Sequence, residues 1–326
     1  MVSRAFTTDL AESHANQRPL QIVVGWDAQN TEAIEFAAWL GRSLPVKVQV
    51  VSAISAVDGA WKKPLTGKKY KRWFRDRSQE FELQARRVLK AHLPRSQWAK
   101  TAAQLAERSD ITGCLCETVK DTHADMILLG SRAKTAKSRF RPSSVADELM
   151  HSSPVPLGLA PKGVNLSRKG VTRVTYALIE PSKADDIEDT TTFSGLPYAA
   201  TMACVLGVPL RIVAFSPKPQ SISLSEAAAE WNEAVLGQLD RARDQAFAVA
   251  TELDPAFADT FDVHTTVATG KGWKRATDAV KWKKGDVMCL GSQPSGQLMR
   301  VFVGSRESEF IRFAPVPVII YPRGAE

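Results

Sequence analysis

The sequence contains few cysteines and no long apolar segment. Its 326 residues include four cysteines, none in a Cys-x-x-Cys spacing, which argues against a disulfide framework or a zinc ribbon. No apolar run approaches the roughly 18 residues that span a bilayer, and residues 1–19 lack the apolar core of a signal peptide. We therefore expect a cytoplasmic protein that does not contact membranes, with a flexible leader at residues 1–18.

Catalytic motifs are also lacking. The five histidines are scattered without the spacing of metal ligands. No P-loop lysine motif, nucleophile elbow or Ser/His/Asp arrangement can be assembled. The sequence therefore does not indicate an enzyme of known type, and we predict neither catalytic residues nor a metal site built from side chains.

Positive charge is concentrated in one segment. The chain carries a net charge of +8, and most of the excess lies in residues 62–77, called here the basic segment. Its cations are Lys62, Lys63, Lys68, Lys69, Lys71, Arg72, Arg75 and Arg77, and the aromatic residues Trp61, Tyr70, Trp73 and Phe74 alternate with them. The mixture suits binding of nucleic acid or of an acidic partner. It also suits a solvated helix face that aromatic residues anchor to the protein body.

The chain repeats itself at a distance of 161 positions. Asp125-Met-Ile-Leu-Leu-Gly130-Ser131 returns as Asp286-Val-Met-Cys-Leu-Gly291-Ser292, Ser143-Ser144 aligns with Gly304-Ser305, and Pro154-Val155-Pro156 aligns with Pro315-Val316-Pro317. So long a period indicates a duplicated domain rather than a solenoid of short repeats. We predict one domain at residues 19–161, a linker at 162–170 and a second domain at 171–326.

Strand and helix patterns alternate in both halves. The predicted strands are 21–25, 46–54, 98–105, 125–130 and 155–159, followed by 174–179, 210–215, 261–268, 286–291 and 316–321. The predicted helices are 31–42, 74–91, 111–120 and one from Ser144, followed by 198–206, 224–253 and 271–282. This alternation predicts an α/β fold with two tandem doubly wound domains, each a parallel sheet with helices on both faces.

One element suggests a binding site. Gly130 and Gly291 end predicted strands, and each is followed by a loop that enters a helix at Ser144 or Ser305. A loop entering a helix N-terminus offers free N–H groups to an anion. Ser144 with Asp147 also fits a capping box, which needs no ligand. Trp26 either stacks on a bound base or plugs the crevice.

The combination of strand, glycine loop, Gly-Ser or Ser-Ser helix start and Pro-Val-Pro tail resembles the universal stress protein family in both halves. The resemblance implies five-stranded domains of strand order 3-2-1-4-5, and it implies pairing of the last strands, 155–159 with 316–321, within the chain. Family members include proteins that bind ATP and proteins that do not. Both loops depart from the family pattern, because Ala133 and Pro294 replace a glycine and Ser143 replaces another.

By resemblance, ATP, with Mg²⁺ accompanying it, would contact one set of residues in each half. In the first half these are Asp27 and Val51 at the adenosine end, and Leu129, Gly130, Ala133, Ser143, Ser144 and Val145 on the phosphate side. In the second half they are Glu180, Phe215, Leu290, Gly291, Gly304, Ser305 and Arg306. The first loop also carries Arg132, Lys134, Lys137, Arg139 and Arg141, which favour phosphates electrostatically.

Three hypotheses about function stay open at this point. The first is a cytoplasmic stress-response regulator that binds an adenine nucleotide. The second is an interaction protein of the same fold that binds no nucleotide and docks an acidic partner or nucleic acid through the basic segment. The third is slow ATP hydrolysis. Association of two chains into a homodimer is also left open.

Overall fold

The structure is a computed structural model, and it describes residues 18–54, 67–179, 193–218, 226–292 and 303–322. The first half contains β1 (Leu20–Gly25), α1 (Glu32–Leu40), β2 (Val46–Ile54), α2 (Gly67–His92), β3 (Trp98–Glu107), α3 (Ile111–Thr122), β4 (Met126–Gly130), α4 (Ser144–Leu149) and β5 (Leu157–Ala160). The second half contains β6 (Arg173–Ile179), α5 (Leu196–Leu206), β7 (Leu210–Ser216), α6 (Glu226–Leu253), α7 (Pro255–Thr260), β8 (Val263–Thr269), α8 (Trp273–Asp278), β9 (Asp286–Gly291), α9 (Ser305–Ile311) and β10 (Val318–Tyr321).

The predicted fold class is confirmed. Within the described residues, ten strands form one sheet in the order β3-β2-β1-β4-β5-β10-β9-β6-β7-β8. Every neighbouring pair is parallel except β5 with β10. Helices cover both faces: α1 contributes Phe36 and Trp39 to one buried cluster, and α3 and α4 contribute Leu115 and Leu149 to the other.

The two halves meet through their last strands, as predicted. β5 and β10 run antiparallel, with Leu159 opposite Val318 and Leu157 opposite Ile320, and all four side chains are fully buried. Each strand therefore covers the apolar edge of the other, which removes an exposed edge from both halves. The intramolecular pairing of the two halves is confirmed.

Two predicted helix boundaries are wrong by four residues or more, and one α-helix is missing from the prediction. The helix predicted at 271–282 ends at Asp278, because the chain turns back and the Trp282 indole N–H donates to the Thr277 carbonyl at 2.8 Å. α2 begins at Gly67 rather than at position 74. α7 is absent from the predicted elements, although Asp254 caps its Ala256 N–H at 2.9 Å with proline in the first turn, a recognised start signal.

The repeat includes a buried aspartate at the start of each fourth strand: Asp125 directly before β4 and Asp286 as the first residue of β9. Asp125 accepts a hydrogen bond at 2.6 Å from Arg18, a residue within the predicted leader. Asp286 is wholly buried and accepts hydrogen bonds from Arg173 at 2.6 Å and from Arg211 at 3.3 Å. Burial, ahead of the nearby Arg173 charge, lowers the pKa of Arg211 to about 10. The rest of the leader lies outside the described residues, and the domain boundaries stay predictions.

Candidate functional site

The first half contains a cavity of about 320 Å³ at the carboxyl ends of its central strands. Seven of the eight residues predicted for this half line it: Asp27, Val51, Leu129, Gly130, Ala133, Ser143 and Val145. The eighth, Ser144, is exposed beside it at the start of α4. The volume of the cavity is in the range of small-molecule sites, and the cavity lies where doubly wound sheets bind ligands.

The floor of this cavity is apolar. Ile111 and Leu115 of α3 and Val145 of α4 meet Val51 and Leu129 of the sheet there. Gly25 lies beneath it, and an added Cβ there would lie 2.6 Å from Cδ2 of Leu129, so a larger residue would displace that side chain. An apolar floor with polar groups at the rim is the usual composition of a small-molecule pocket.

The loop after β1 forms one rim. The Asp27 carboxylate is exposed and accepts hydrogen bonds from the backbone N–H of Gln29 at 2.9 Å and of Asn30 at 3.3 Å. Trp26 lines the cavity without plugging it, because its indole N–H donates to the Asn30 carbonyl at 2.6 Å and its ring packs 5.6 Å from Phe81. The loop is therefore shaped by its own hydrogen bonds and leaves the opening clear.

The loop after β4 forms the opposite rim. Ser143 caps α4, since its hydroxyl accepts from the Ala146 N–H at 3.1 Å. The predicted capping box of Ser144 with Asp147 is therefore wrong, because the N-cap is Ser143 and the residue three positions later is Ala146, which has no side chain that could reciprocate. The Ser131 hydroxyl accepts from the Arg141 N–H at 2.9 Å and joins the two ends of the loop. Ser138, with φ of 54°, takes the left-handed conformation in this loop. The positive φ therefore falls at position 138, and position 133 does not need a glycine to supply it.

The five cations of this loop do not converge on the cavity. Arg132 lines it, whereas the Arg139 guanidinium lies 5.7 Å over the Phe313 ring of the second half. Lys137 packs against Gly163. The loop cations therefore serve the contact between the halves as well as the rim.

Sequence reasoning missed a polar group at the same edge. The Lys162 ammonium lies 2.7 Å from Asn30 Oδ1 and 2.8 Å from Glu32 Oε1. Glu32 Oε2 is buried without a hydrogen-bond partner among the described residues, close to Gly130. Lys162 falls in the predicted linker, and no spacing in the sequence connects it to Asn30 or Glu32.

In the second half, the described residues place aromatic side chains at the position that corresponds to Val51. Phe215 holds the position of Val51, because Val51 pairs with the last residue of β1 and Phe215 with the last residue of β6. Phe215 is wholly buried, with the rings of Trp282 and Phe310 at 6.4 and 4.8 Å. Among the described residues, an aromatic cluster therefore occupies the volume that is open beside Val51 in the first half.

The described backbone segments also approach each other more closely there. An added Cβ at Gly291 would lie 2.5 Å from the Gly195 N, whereas one at the equivalent Gly130 would meet its nearest atom at 3.8 Å. The Ser194 hydroxyl also donates to the Ser292 carbonyl at 2.9 Å. Leu290 is buried beneath this contact, whereas Gly304 caps α9 and Ser305 and Arg306 are exposed on its first turn. The predicted residue Glu180 and the loop residue Pro294 lie outside the described residues.

The described residues offer neither a metal cluster nor a membrane span. No three His, Cys, Asp or Glu side chains in the described ranges cluster so as to hold a metal ion. In the same part of the chain, no helix has both the length and the apolarity needed to cross a membrane.

The chain belongs to the universal stress protein family, whose model matches residues 21–160 and 186–322. Universal stress proteins of Mycobacterium tuberculosis and Mycobacterium bovis are 30% identical to it over 217 residues, which cover 67% of this chain and 70% of theirs. A crystal structure of a universal stress protein from Archaeoglobus fulgidus has the same fold, with a TM-score of 0.55 at 17% identity, covering 93% of this chain and 96% of that one. A putative universal stress protein from Pseudomonas aeruginosa gives 0.50 at 13% identity, with 94% and 95% covered. Family and fold together support a role in the stress response.

Proposed function

We propose that this protein is a stress-response regulator that binds one adenine nucleotide, ATP with its Mg²⁺, in the cavity of its first half. The observation that carries the proposal is the open cavity beside Val51, lined by seven residues that the family resemblance assigns to a nucleotide. The matching position in the second half holds a buried phenylalanine. On this proposal the second half is a structural partner and the chain has one site.

The lining suggests how the ligand would lie. The adenine ring would rest on the apolar floor beside Val51 and Leu129, with Asp27 at the rim accepting a hydrogen bond from the adenosine end. The phosphates would extend toward Gly130 and Ser143, where Arg132 offers a positive charge. Mg²⁺ would be held mainly by the phosphates, as is common for this ion.

We also propose how a bound nucleotide would change the surface of the protein. The loop that forms the phosphate rim contacts the second half, because the Phe140 N–H donates to the Arg312 carbonyl at 3.4 Å. In the other direction, the Val303 N–H donates to the Met150 carbonyl at 2.9 Å. A nucleotide that orders the rim would therefore change the surface formed jointly by both halves.

The experiment is a calorimetric titration with ATP and Mg²⁺ on two matched variants, Ser143→Asp and Gly304→Asp. Both residues are N-caps at equivalent positions, and aspartate is a favourable N-cap, so both variants should fold. We expect Ser143→Asp to weaken binding by repelling phosphate, and Gly304→Asp to bind like the parent chain. An absence of heat at millimolar ATP in the parent chain would refute nucleotide binding.

We also propose that the protein is cytoplasmic. Association of two chains into a homodimer stays a prediction. Support for the location comes from the free cysteines, of which Cys114, Cys204 and Cys289 are buried. Unpaired thiols of this kind are typical of reducing compartments. Cell fractionation with an antibody to the chain tests the location, and light scattering tests the association.

A further inference from the structure

The first turns of α2 carry a face of four exposed cations. Lys68, Lys71, Arg72 and Arg75, called here the basic face, are spaced three and four residues apart, so they are neighbours on one side of the helix. The core lies on the opposite side, where Phe81 is buried. The fold therefore presents this part of the basic segment outward.

The charge of the basic face is not neutralised within the described residues. Arg75 approaches a carboxylate, that of Asp76, only to 3.9 Å. In the described ranges, no ion pair involves Lys68, Lys71 or Arg72. Like charges at these spacings repel, and cations near a helix N-terminus oppose the helix dipole. The arrangement thus lowers helix stability, and a polyanion would offset that cost.

Three aromatic residues of the segment face inward, whereas Trp61, Lys62 and Lys63 lie outside the described residues. The Tyr70 ring lies 5.6 Å from Trp73 and 6.3 Å from Phe74, and all three side chains are partly buried. They anchor the helix rather than offer open faces for stacking on bases. The side chains of the basic face that remain exposed are all positively charged. Such groups contact phosphate without distinguishing one base sequence from another.

We propose that the basic face binds the phosphate backbone of nucleic acid. Its four side chains form a continuous row along successive turns of α2. Duplex DNA offers a matching row of charges, with one phosphate about every 1.7 Å along its axis. The pI of about 9.3 and the clustering along one helix are the usual features of a nucleic-acid surface. An acidic protein would normally add apolar anchors, and the exposed side chains of the basic face offer none. This surface is separate from the nucleotide cavity and does not depend on it.

The test measures fluorescence anisotropy of a short labelled DNA duplex titrated with the full chain over a series of salt concentrations. One variant replaces the basic face, Lys68→Gln, Lys71→Gln, Arg72→Gln and Arg75→Gln. The control removes the same charge from other exposed positions, Lys90→Gln, Lys120→Gln, Lys169→Gln and Lys284→Gln. Circular dichroism verifies that both variants are folded, and polyglutamate serves as a second titrant.

We expect the parent chain and the control to bind with similar affinity and a steep salt dependence. Each cation that no longer neutralises a phosphate should flatten the slope of log K against log salt by about 0.9, so the basic-face variant should have a slope smaller by about 3 to 4. Equal binding by the two variants would overturn the proposal, and so would no binding by the parent chain at low salt. Tighter binding of polyglutamate than of DNA would also overturn it, in favour of an acidic protein partner.

Discussion

The difference between the two crevices can be tested without a ligand by exchanging Val51 and Phe215. In Phe215→Val, about four buried carbons are removed at about 0.8 kcal/mol each, so we expect a loss of about 3 kcal/mol in the free energy of unfolding. The aromatic interactions of this ring with Trp282 and Phe310 would also disappear, which adds to the cost. In Val51→Phe, the larger ring enters an existing cavity of about 320 Å³, so we expect a change within about 1 kcal/mol rather than the 1 to 3 kcal/mol of an overpacked core.

The assay is urea denaturation followed by circular dichroism and by tryptophan fluorescence, whose coincidence would justify a two-state treatment. The two variants are matched because their positions are equivalent in the two halves. The reasoning is refuted if Val51→Phe destabilises the chain as much as Phe215→Val does, since the first crevice would then already be filled. Val51→Phe should also abolish the heat of ATP binding.

Three further predictions concern burial and close packing. Asp286→Asn should cost about 3 kcal/mol or more, because it leaves the buried Arg211 and the partly buried Arg173 without a counter-charge. Asp125→Asn should cost about 1 kcal/mol, since its arginine partner is 45% exposed, and equal midpoints in urea would contradict this difference. Gly195→Ala should destabilise the chain by about 1 to 3 kcal/mol, because the added methyl group clashes with backbone atoms. Gly237→Ala, the control within α6, should stabilise the chain by up to about 1 kcal/mol, because alanine favours the helix more than glycine does. Thermal melts measure both changes. Burial raises the pKa of Cys289 to about 12, so its thiol should stay protonated and unreactive toward a disulfide reagent at pH 8 until the chain unfolds. Because Cys116 is only partly buried, labelling is located by peptide mass spectrometry, and rapid labelling of Cys289 in the native protein would be inconsistent with its burial.

The sequence predicts the fold well where a pattern is repeated. The 161-residue period places the helix starts at Ser144 and Ser305, and the structure has α4 and α9 beginning there. Hydrophobic runs after the two Pro-Val-Pro tails become β5 and β10. These features depend on local periodicity and on the rule that apolar strand edges are covered.

The sequence does not predict whether a crevice is open. Phe215 is one residue of a buried strand in the sequence, and only the return of the chain after α8 brings Trp282 against it. In the same way, Lys162 joins Asn30 and Glu32 through contacts between distant segments. Packing between remote positions decides both, and no local spacing encodes it.

The most direct test of the account is the number of ATP molecules bound per chain, measured by equilibrium dialysis of the full chain with radiolabelled ATP and Mg²⁺. An open first crevice and a filled second one predict saturation at one ATP per chain. Saturation at two would contradict the filled second crevice, and no retained ATP would contradict the open first one.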